Sequence, residues 1–369
     1  MPNRSTDGVC LVGPLPPPYG GVSEHIYRLV SATPQFISEI IDLYPTTVRK
    51  LRPETSAASV SVAPLSRWFK PVWFLQQLGR TKCSVFHFHF SLPRALLLLT
   101  FARKRAEKTW ILTLHNGDLG IGAHYGNYLL KKLIHAQVMR FDRIVCLSSA
   151  HEQFCLQIGV PQSRLIRLPS YLPPPRRCDS PLVPSFYELR QRNAVVVLTS
   201  GYPEKFYNFD QLVDYADSHK LVHGAGVGFA IAVYGNGDWS WINTLKVIAS
   251  QRGLEVIFLE NLDRDAFASV IQNTDIYVRP TLMDSYGIAV ADAINCGAIA
   301  IASDICERYE GCKIFPTGDV NAFFKQLDYS IAEVQLNAGH KRESVNHPAS
   351  GGEIVGYCNL YSEAKTLAH

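Results

Sequence analysis

Residues 275–304 read DIYVRPTLMDSYGIAVADAINCGAIAIASD, and their periodicity decides the fold. DIYV, 275–278, has the length and composition of a buried strand. RPTLMDSYG is a turn-rich loop that ends at Gly287. IAVADAIN is expected to form a short helix, stopped by Gly297 just beyond it. AIAIA, 298–302, is a second buried strand. Strand, loop, helix, strand is the repeating unit of an α/β sheet, and its loop lies at the carboxyl end of the strand, where such sheets bind ligands.

The same loop carries chemistry. Asp284 and Asp292 flank the helix start, one before it and one about a turn inside. Between them the amides of Gly287, Ile288 and Ala289 open the helix, where unpaired N–H groups and the dipole favour an anion. Carboxylates on either side of an anion site suit a ligand with hydroxyls flanking a phosphate, such as a nucleotide sugar. A solvated loop acid and an idle helix acid fit the spacing equally well.

The rest of the chain repeats this unit. GVCLV, 8–12, reads as a first strand, followed by GPLPPPYGG and a helix with Val22, Ile26, Leu29 and Val30 at helical spacing. Gly20 and Gly21 either let a phosphate approach the helix start at Gly21 and Val22 or simply make a tight turn. Residues 37–43 are a second strand, and 45–65 are expected to be an irregular surface loop. SVFHFHF, 84–90, alternates so that His87 and His89 share a face; with no acidic or cysteine ligand nearby, no metal is expected there. Trp110–Leu114 is a strand ending in His115 and an Asn116-Gly117-Asp118 turn, which aims the imidazole at the ligand crevice or at a loop carbonyl. A helix over 124–143 carries Lys131, Lys132, Arg140 and Arg143, and a strand follows over 143–149.

Six prolines in PSYLPPPRRCDSPLVPS, 169–185, mark a domain crossover. Beyond it the α/β pattern restarts, with strands at 194–201, 228–238 and 255–261. The first leads to a loop holding Lys205, a point charge suited to a diphosphate. The last ends at Glu260 and Asn261. GEIVGYCNLYSEAKTL, 352–367, is a terminal helix.

The chain has 369 residues, 47% hydrophobic and 18% charged, a globular profile with room for two domains. The apolar run ALLLLTFA, 95–102, is too short to span a bilayer, and the N-terminus has no signal-peptide pattern. Nine cysteines without a C-x-x-C pair point to reduced thiols in a cytosol. Residues 1–180 hold 22 Lys+Arg against 10 Asp+Glu, a net of +12, while the remainder holds 14 against 22, a net of −8. A basic first half suits anionic lipid or a polyprenyl-diphosphate acceptor; no nucleic-acid motif accompanies it. A dinucleotide-dependent dehydrogenase is disfavoured because no G-x-G-x-x-G follows the first strand.

The acid–seven–acid stretch, with its glycine loop and small-residue helix, resembles the signature of the retaining glycosyltransferases of family 4, which have the GT-B fold. RPT and ASDICERYEG resemble a bacterial polysaccharide-assembly branch. Departures are visible: the family has glutamate where Asp284 and Asp292 stand, and an arginine at the position of Tyr202. The resemblance implies two doubly wound Rossmann-like domains facing across a cleft. Residues 1–175 would take the acceptor, 176–350 the donor, and 351–369 would form a helix packing back on the first domain. It implies sugar transfer with retention from a nucleotide-diphosphate sugar, UDP ahead of GDP, to a glycan or lipid-linked acceptor. No cofactor and no metal are required. His115 would lie near the donor sugar and departing phosphate. Lys205, Gly21, Val22, Gly287, Ile288 and Ala289 would hold the diphosphate, Asp284 the sugar hydroxyls and Asp292 the ribose. Glu260 and Asn261 would line the base pocket. The expected place is the cytoplasm, peripheral to the inner face of a membrane. A non-catalytic binding subunit and a nucleotide-sugar-dependent sugar-phosphate synthase are the rivals.

Overall fold

The computed structural model describes residues 8–45, 56–66, 68–90, 93–115, 128–175, 179–223, 226–337 and 352–367; Asn116 and Asp118 lie outside them. The chain divides into two compact units, Met1–Pro175 with Ala349–His369, and Arg176–Pro348.

The first unit is built on seven parallel strands: β1 (Val9–Val12), β2 (Ile37–Asp42), β3 (Ser59–Val62), β4 (Val85–Phe90), β5 (Thr109–Leu114), β6 (Arg143–Cys146) and β7 (Leu165–Arg167). Their order is β3-β2-β1-β4-β5-β6-β7, so the direction of winding reverses between β1 and β4. The connecting helices are α1 (Gly21–Ala32), α2 (Lys70–Arg80), α3 (Tyr128–Val138) and α4 (Ser149–Gln157). β3 corrects the expected loop over 45–65. It is a four-residue SVSV edge strand pairing only with β2, half exposed and too short for its alternation to stand out.

The second unit has six parallel strands, β8 (Val195–Gly201), β9 (Val227–Val233), β10 (Val256–Glu260), β11 (Ile276–Arg279), β12 (Ile299–Ser303) and β13 (Lys313–Phe315), in the order β10-β9-β8-β11-β12-β13. Its helices are α5 (Pro184–Arg192), α6 (Phe209–His223), α7 (Trp239–Gln251), α8 (Arg264–Gln272), α9 (Ile288–Asn295) and α10 (Val320–Leu336). β8 and β11 are hydrogen-bonded neighbours at the reversal. Strand order 3-2-1-4-5-6 with helices in the crossovers is the Rossmann arrangement, which binds ligands beyond the strands' carboxyl ends at the reversal.

The last helix, α11 (Gly352–Leu367), returns to complete the first unit. Period-two alternation in β4 explains how. Phe86, Phe88 and Phe90 face a layer with Trp110, Phe141 and Phe74 of α2. Val85 faces the opposite layer, where Ile26 and Leu29 of α1 meet Tyr357, Leu360 and Tyr361 of α11. His87 lies on that side too. Its Nδ1 pairs with the Tyr361 hydroxyl at 2.8 Å and its Nε2 with Thr113 Oγ1 at 2.8 Å. No helix among the described residues is long and apolar enough to cross a membrane. The eight described cysteines are free thiols.

Candidate active site

In the second unit, the loops that follow β8 and β11 are stitched together. Phe206 carbonyl accepts from Thr281 Oγ1 at 2.9 Å and from the Leu282 amide at 2.8 Å. Asn208, in the left-handed conformation, donates from Nδ2 to Pro280 carbonyl at 2.7 Å. Lys205 begins a short turn in the first loop and is exposed. The second loop ends at Gly287, the N-cap of α9, with φ +82. A side chain is disfavoured there twice over: the backbone is left-handed, and a Cβ would come 2.9 Å from Arg308 Nη1.

Three helix starts in this unit are closed by aspartate, while α5 starts at Val183 without a side-chain cap. Asp238, Asp263 and Asp319 cap α7, α8 and α10 by accepting from Trp241, Ala266 and Ala322 amides. α9 has no side-chain cap. The first unit repeats the contrast: Ser148 caps α4, whereas α1 starts at Gly20 with none. The two uncapped glycine starts are the helices that follow β1 and β11, each beside its sheet's reversal. A Cβ built on Gly21 would meet nothing within 4 Å, so packing within the protein does not require glycine at that position.

Asp284 is placed differently from the sequence expectation. Oδ2 accepts from Arg279 Nε at 3.0 Å and Arg308 Nη1 at 2.6 Å, and Oδ1 from Arg279 Nη2 at 3.2 Å and the Ser285 amide at 3.0 Å. Its side chain is 9% exposed and that of Arg308 is 2% exposed. Burial raises the carboxyl's pKa, but Arg279 and then Arg308 outweigh it and hold the group well below the usual carboxylate range. A carboxylate has about four lone-pair sites, and all four are taken. Sugar hydroxyls would find no open acceptor on Asp284, so its expected role as their holder does not fit; it is the counter-charge of a buried arginine pair. Arg279 also donates to Ser200 carbonyl at 2.8 Å and lies 4.8 Å from the centre of the Tyr207 ring. Arg308 donates to the carbonyls of Ser303 at 3.1 Å and Tyr286 at 2.9 Å. The three charged groups thus tie β11, its loop and the segment after β12 into one knot. Sequence reading missed both arginines. RPT contains Arg279 but gives it no role, and Arg308 stands 24 residues beyond Asp284 with no local period to connect them.

Asp292 is half-buried in the second turn of α9. Glu260, at the end of β10, pairs with Lys246. Asn261 has φ 47 and accepts from the Gly235 amide at 3.0 Å, closing the turn after β9. Tyr202, where the resemblance expects arginine, rests against Gly235, whose Cβ would lie 2.7 Å from the ring, and lies 4.8 Å from Tyr234 between ring centres.

In the first unit, His115 follows β5, and its amide donates to Phe90 carbonyl at 3.0 Å. Its Nε2 pairs with His89 Nδ1 at 2.9 Å. His25 of α1 lies 4.9 Å from His115 between ring centres. Its Nδ1 pairs with Ser170 carbonyl at 3.2 Å and its Nε2 with the Tyr357 hydroxyl at 3.2 Å. Burial lowers the pKa of all four imidazoles, His25 to about 4, His87 to about 3 and His89 and His115 well below the ordinary value. Ring nitrogens of His25, His89 and His115 come within 4.8 Å of one another, so these three could hold a metal ion. At zinc–nitrogen distances of about 2.0–2.1 Å the nitrogens would have to draw closer and give up existing hydrogen bonds.

Comparison with known proteins follows this geometry. Residues 188–311, inside the second unit, match the family model described as glycosyl transferases group 1. No curated protein matches the chain. Solved structures do. HepE from Anabaena, in complex with UDP and glucose, has a TM-score of 0.69 at 14% identity, covering 97% of each chain. A glycosyltransferase from Rickettsia africae has a TM-score of 0.68 at 14% identity, over 97% of this chain and 98% of that one. Sucrose-phosphate synthase from Thermosynechococcus elongatus has the same score and identity, again over 97% and 98%. Two Rossmann-like domains of this kind are the GT-B fold, and the matched segment together with that fold supports a glycosyltransferase.

Proposed function

We propose that the chain is a retaining, metal-independent glycosyltransferase. It moves a sugar from a nucleotide-diphosphate sugar to a glycan or polyprenyl-diphosphate-linked acceptor in surface polysaccharide assembly. One observation carries the reading: an exposed lysine, Lys205, and the uncapped start of α9 stand on two interlocked loops at the reversal of a Rossmann sheet. The donor is UDP-linked ahead of GDP-linked, in line with the UDP and UDP-glucose complexes of HepE.

As the glycosidic bond breaks, negative charge grows on the β-phosphate. Lys205 and the amides of Ile288 and Ala289 stabilise it, and the open helix start at Gly21 and Val22 offers the first unit's own amide pair to a phosphate. Tyr202 supplies no charge, but the Arg279–Asp284–Arg308 knot carries two guanidiniums for one carboxylate. Its net positive charge sits directly behind Gly287. Asp284 therefore serves as a positioning residue. His115 meets the donor sugar and the departing phosphate, and Asp292 holds the ribose. Glu260 and Asn261 shape the wall toward the base. Retention without a placed nucleophile means attack from the leaving group's own face, with the phosphate taking the acceptor proton.

Peripheral membrane contact belongs to the same reading. Trp68 is 76% and Phe69 69% exposed just before α2, which opens at Lys70, and Tyr128 is 70% exposed at the start of α3, which carries Lys131 and Lys132. Exposed aromatic and basic side chains suit an anionic bilayer. Co-sedimentation with phosphatidylglycerol vesicles is expected, and Trp68→Ala with Phe69→Ala should weaken it; no vesicle binding by the unsubstituted protein removes this part.

Thermal-shift measurements with UDP-, GDP-, ADP- and CMP-sugars, with and without magnesium, test the donor site. A shift selective for UDP-sugars and indifferent to magnesium is expected, lost in Lys205→Ala. No shift with any donor refutes the assignment. The sucrose-phosphate synthase likeness favours one rival, transfer to a sugar phosphate. Product analysis with sugar-phosphate and lipid-linked acceptors separates the two.

A further inference from the structure

His89 Nε2 is buried and has no hydrogen-bond partner, whereas His89 Nδ1 is bonded to His115 Nε2 at 2.9 Å. Only one of those two nitrogens can carry the shared proton. If His115 Nε2 held it, neutral His89 would carry its own proton on Nε2, a donor sealed in the interior with no acceptor. Native interiors rarely leave a buried N–H in that state, and such an arrangement is disfavoured by roughly tenfold or more. If His89 Nδ1 holds the proton, Nε2 is a bare lone pair, and interiors leave an acceptor unpaired more readily than an N–H. Double protonation of His89 is opposed first by burial, then by His87, His115 and His25.

The neighbours agree. His25 Nδ1 faces the Ser170 carbonyl, which can only accept, so it carries the proton and leaves Nε2 to accept from Tyr357. His87 is held between two hydroxyls, Tyr361 and Thr113, and donates nothing to His89. His151 Nδ1 accepts from the Leu147 amide at 3.3 Å. None of these groups supplies an acceptor for His89 Nε2.

We infer that His89 is a positioning residue that fixes the tautomer of His115: by donating from Nδ1 it occupies the lone pair on His115 Nε2 and leaves His115 with an N–H donor at Nδ1. Among the described residues that nitrogen has no partner, and His115 is the least buried of the three histidines His25, His89 and His115. A fixed N–H donor selects an oxygen acceptor, a phosphate or a sugar oxygen, over a hydroxyl or ammonium that must donate. The step from tautomer to sugar transfer rests on the function proposed above; the tautomer itself does not.

The test separates them. Long-range nitrogen–proton NMR of the full-length, 15N-histidine-labelled protein at pH 7.5 reports the state of each ring nitrogen, with single His→Gln variants assigning the signals. A pyrrole-type Nδ1 and pyridine-type Nε2 on His115 are expected. The reverse pattern, or fast exchange between the two, overturns the inference whether or not the chain transfers sugar. In transfer assays, His89→Leu should lower kcat about tenfold or more, and His89→Gln, whose amide can still donate, should recover much of it. Equal loss in both variants at equal melting temperature also overturns it. Intact NMR tautomers in a chain that transfers no sugar would leave the inference standing and remove the proposed function.

Discussion

Replacing Asp284 by asparagine keeps the shape of the knot behind Gly287 and removes its only negative charge. Two guanidiniums then remain, with the Arg279 side chain 9% and the Arg308 side chain 2% exposed. Breaking a buried pair by removing one partner costs about 3–5 kcal/mol, because the survivor stays desolvated without compensation. For a unit the size of Arg176–Pro348 this corresponds to a fall in Tm of about 6–20 °C. Calorimetry of the full chain should show the lower-temperature shift in one transition. Arg308→Met in the Asp284→Asn background should recover part of the loss, since it deletes one stranded charge and leaves an apolar chain of similar length. The pH dependence has a definite sign. The folded carboxyl lies below the unfolded value of about 3.9, so Asp284 stabilises fully above about pH 4 and progressively less as pH falls. Asp284→Asn should flatten that acid limb. A change under about 1 kcal/mol, or a double variant less stable than the single one, would refute the charge argument.

Gly21→Ala should leave Tm unchanged or raise it slightly, because its Cβ meets open space, yet weaken donor binding severalfold by calorimetric titration. Gly201→Ala should behave in the opposite way. Its Cβ would fall 2.3 Å from the buried Tyr207 ring, costing about 1–3 kcal/mol in urea unfolding. Lowering the pH from 7 to 5 should destabilise the first unit. His25, lowered to about 4, and His87, lowered to about 3, are held neutral by burial, so their contribution is complete above about pH 6.5 and is lost as pH falls, by about 2 kcal/mol each at pH 5; His89, held well below the ordinary value, acts in the same direction. Melting curves that do not change between pH 7 and 5 would contradict this.

Much of the fold was legible because parallel strands buried on both faces leave unbroken apolar runs. Val195–Gly201 and Val227–Val233 are examples; the first was read to within a residue, the second to within a residue at its start but five residues too long at its end, where the Gly-Asn-Gly turn takes over. The helix at Ile288–Asn295 was legible from Gly287 and Gly297, both with positive φ. β3 was not, because an edge strand buried on neither face has no such run. Within the candidate site, Asp284 was found by its place before the helix, but its partners were not. Arg308 reaches it across two elements, and a carboxylate with four donors has the same sequence signature as one with none. The face shared by His87 and His89 followed from alternation. The hydroxyl that satisfies His87 lies 274 residues away on α11, beyond any local pattern.

That distance has a consequence for how the chain is made. The second unit is an insertion in the first: Gly352 is 177 residues beyond Pro175. At about 5–20 residues per second of synthesis, the seven-stranded sheet waits roughly 9–35 s for the helix that covers His87. During that interval the layer later filled by Tyr357, Leu360 and Tyr361 is bare, and the nascent first unit is a natural client for a chaperone that shields apolar surface. The unit translated first is therefore the unit finished last.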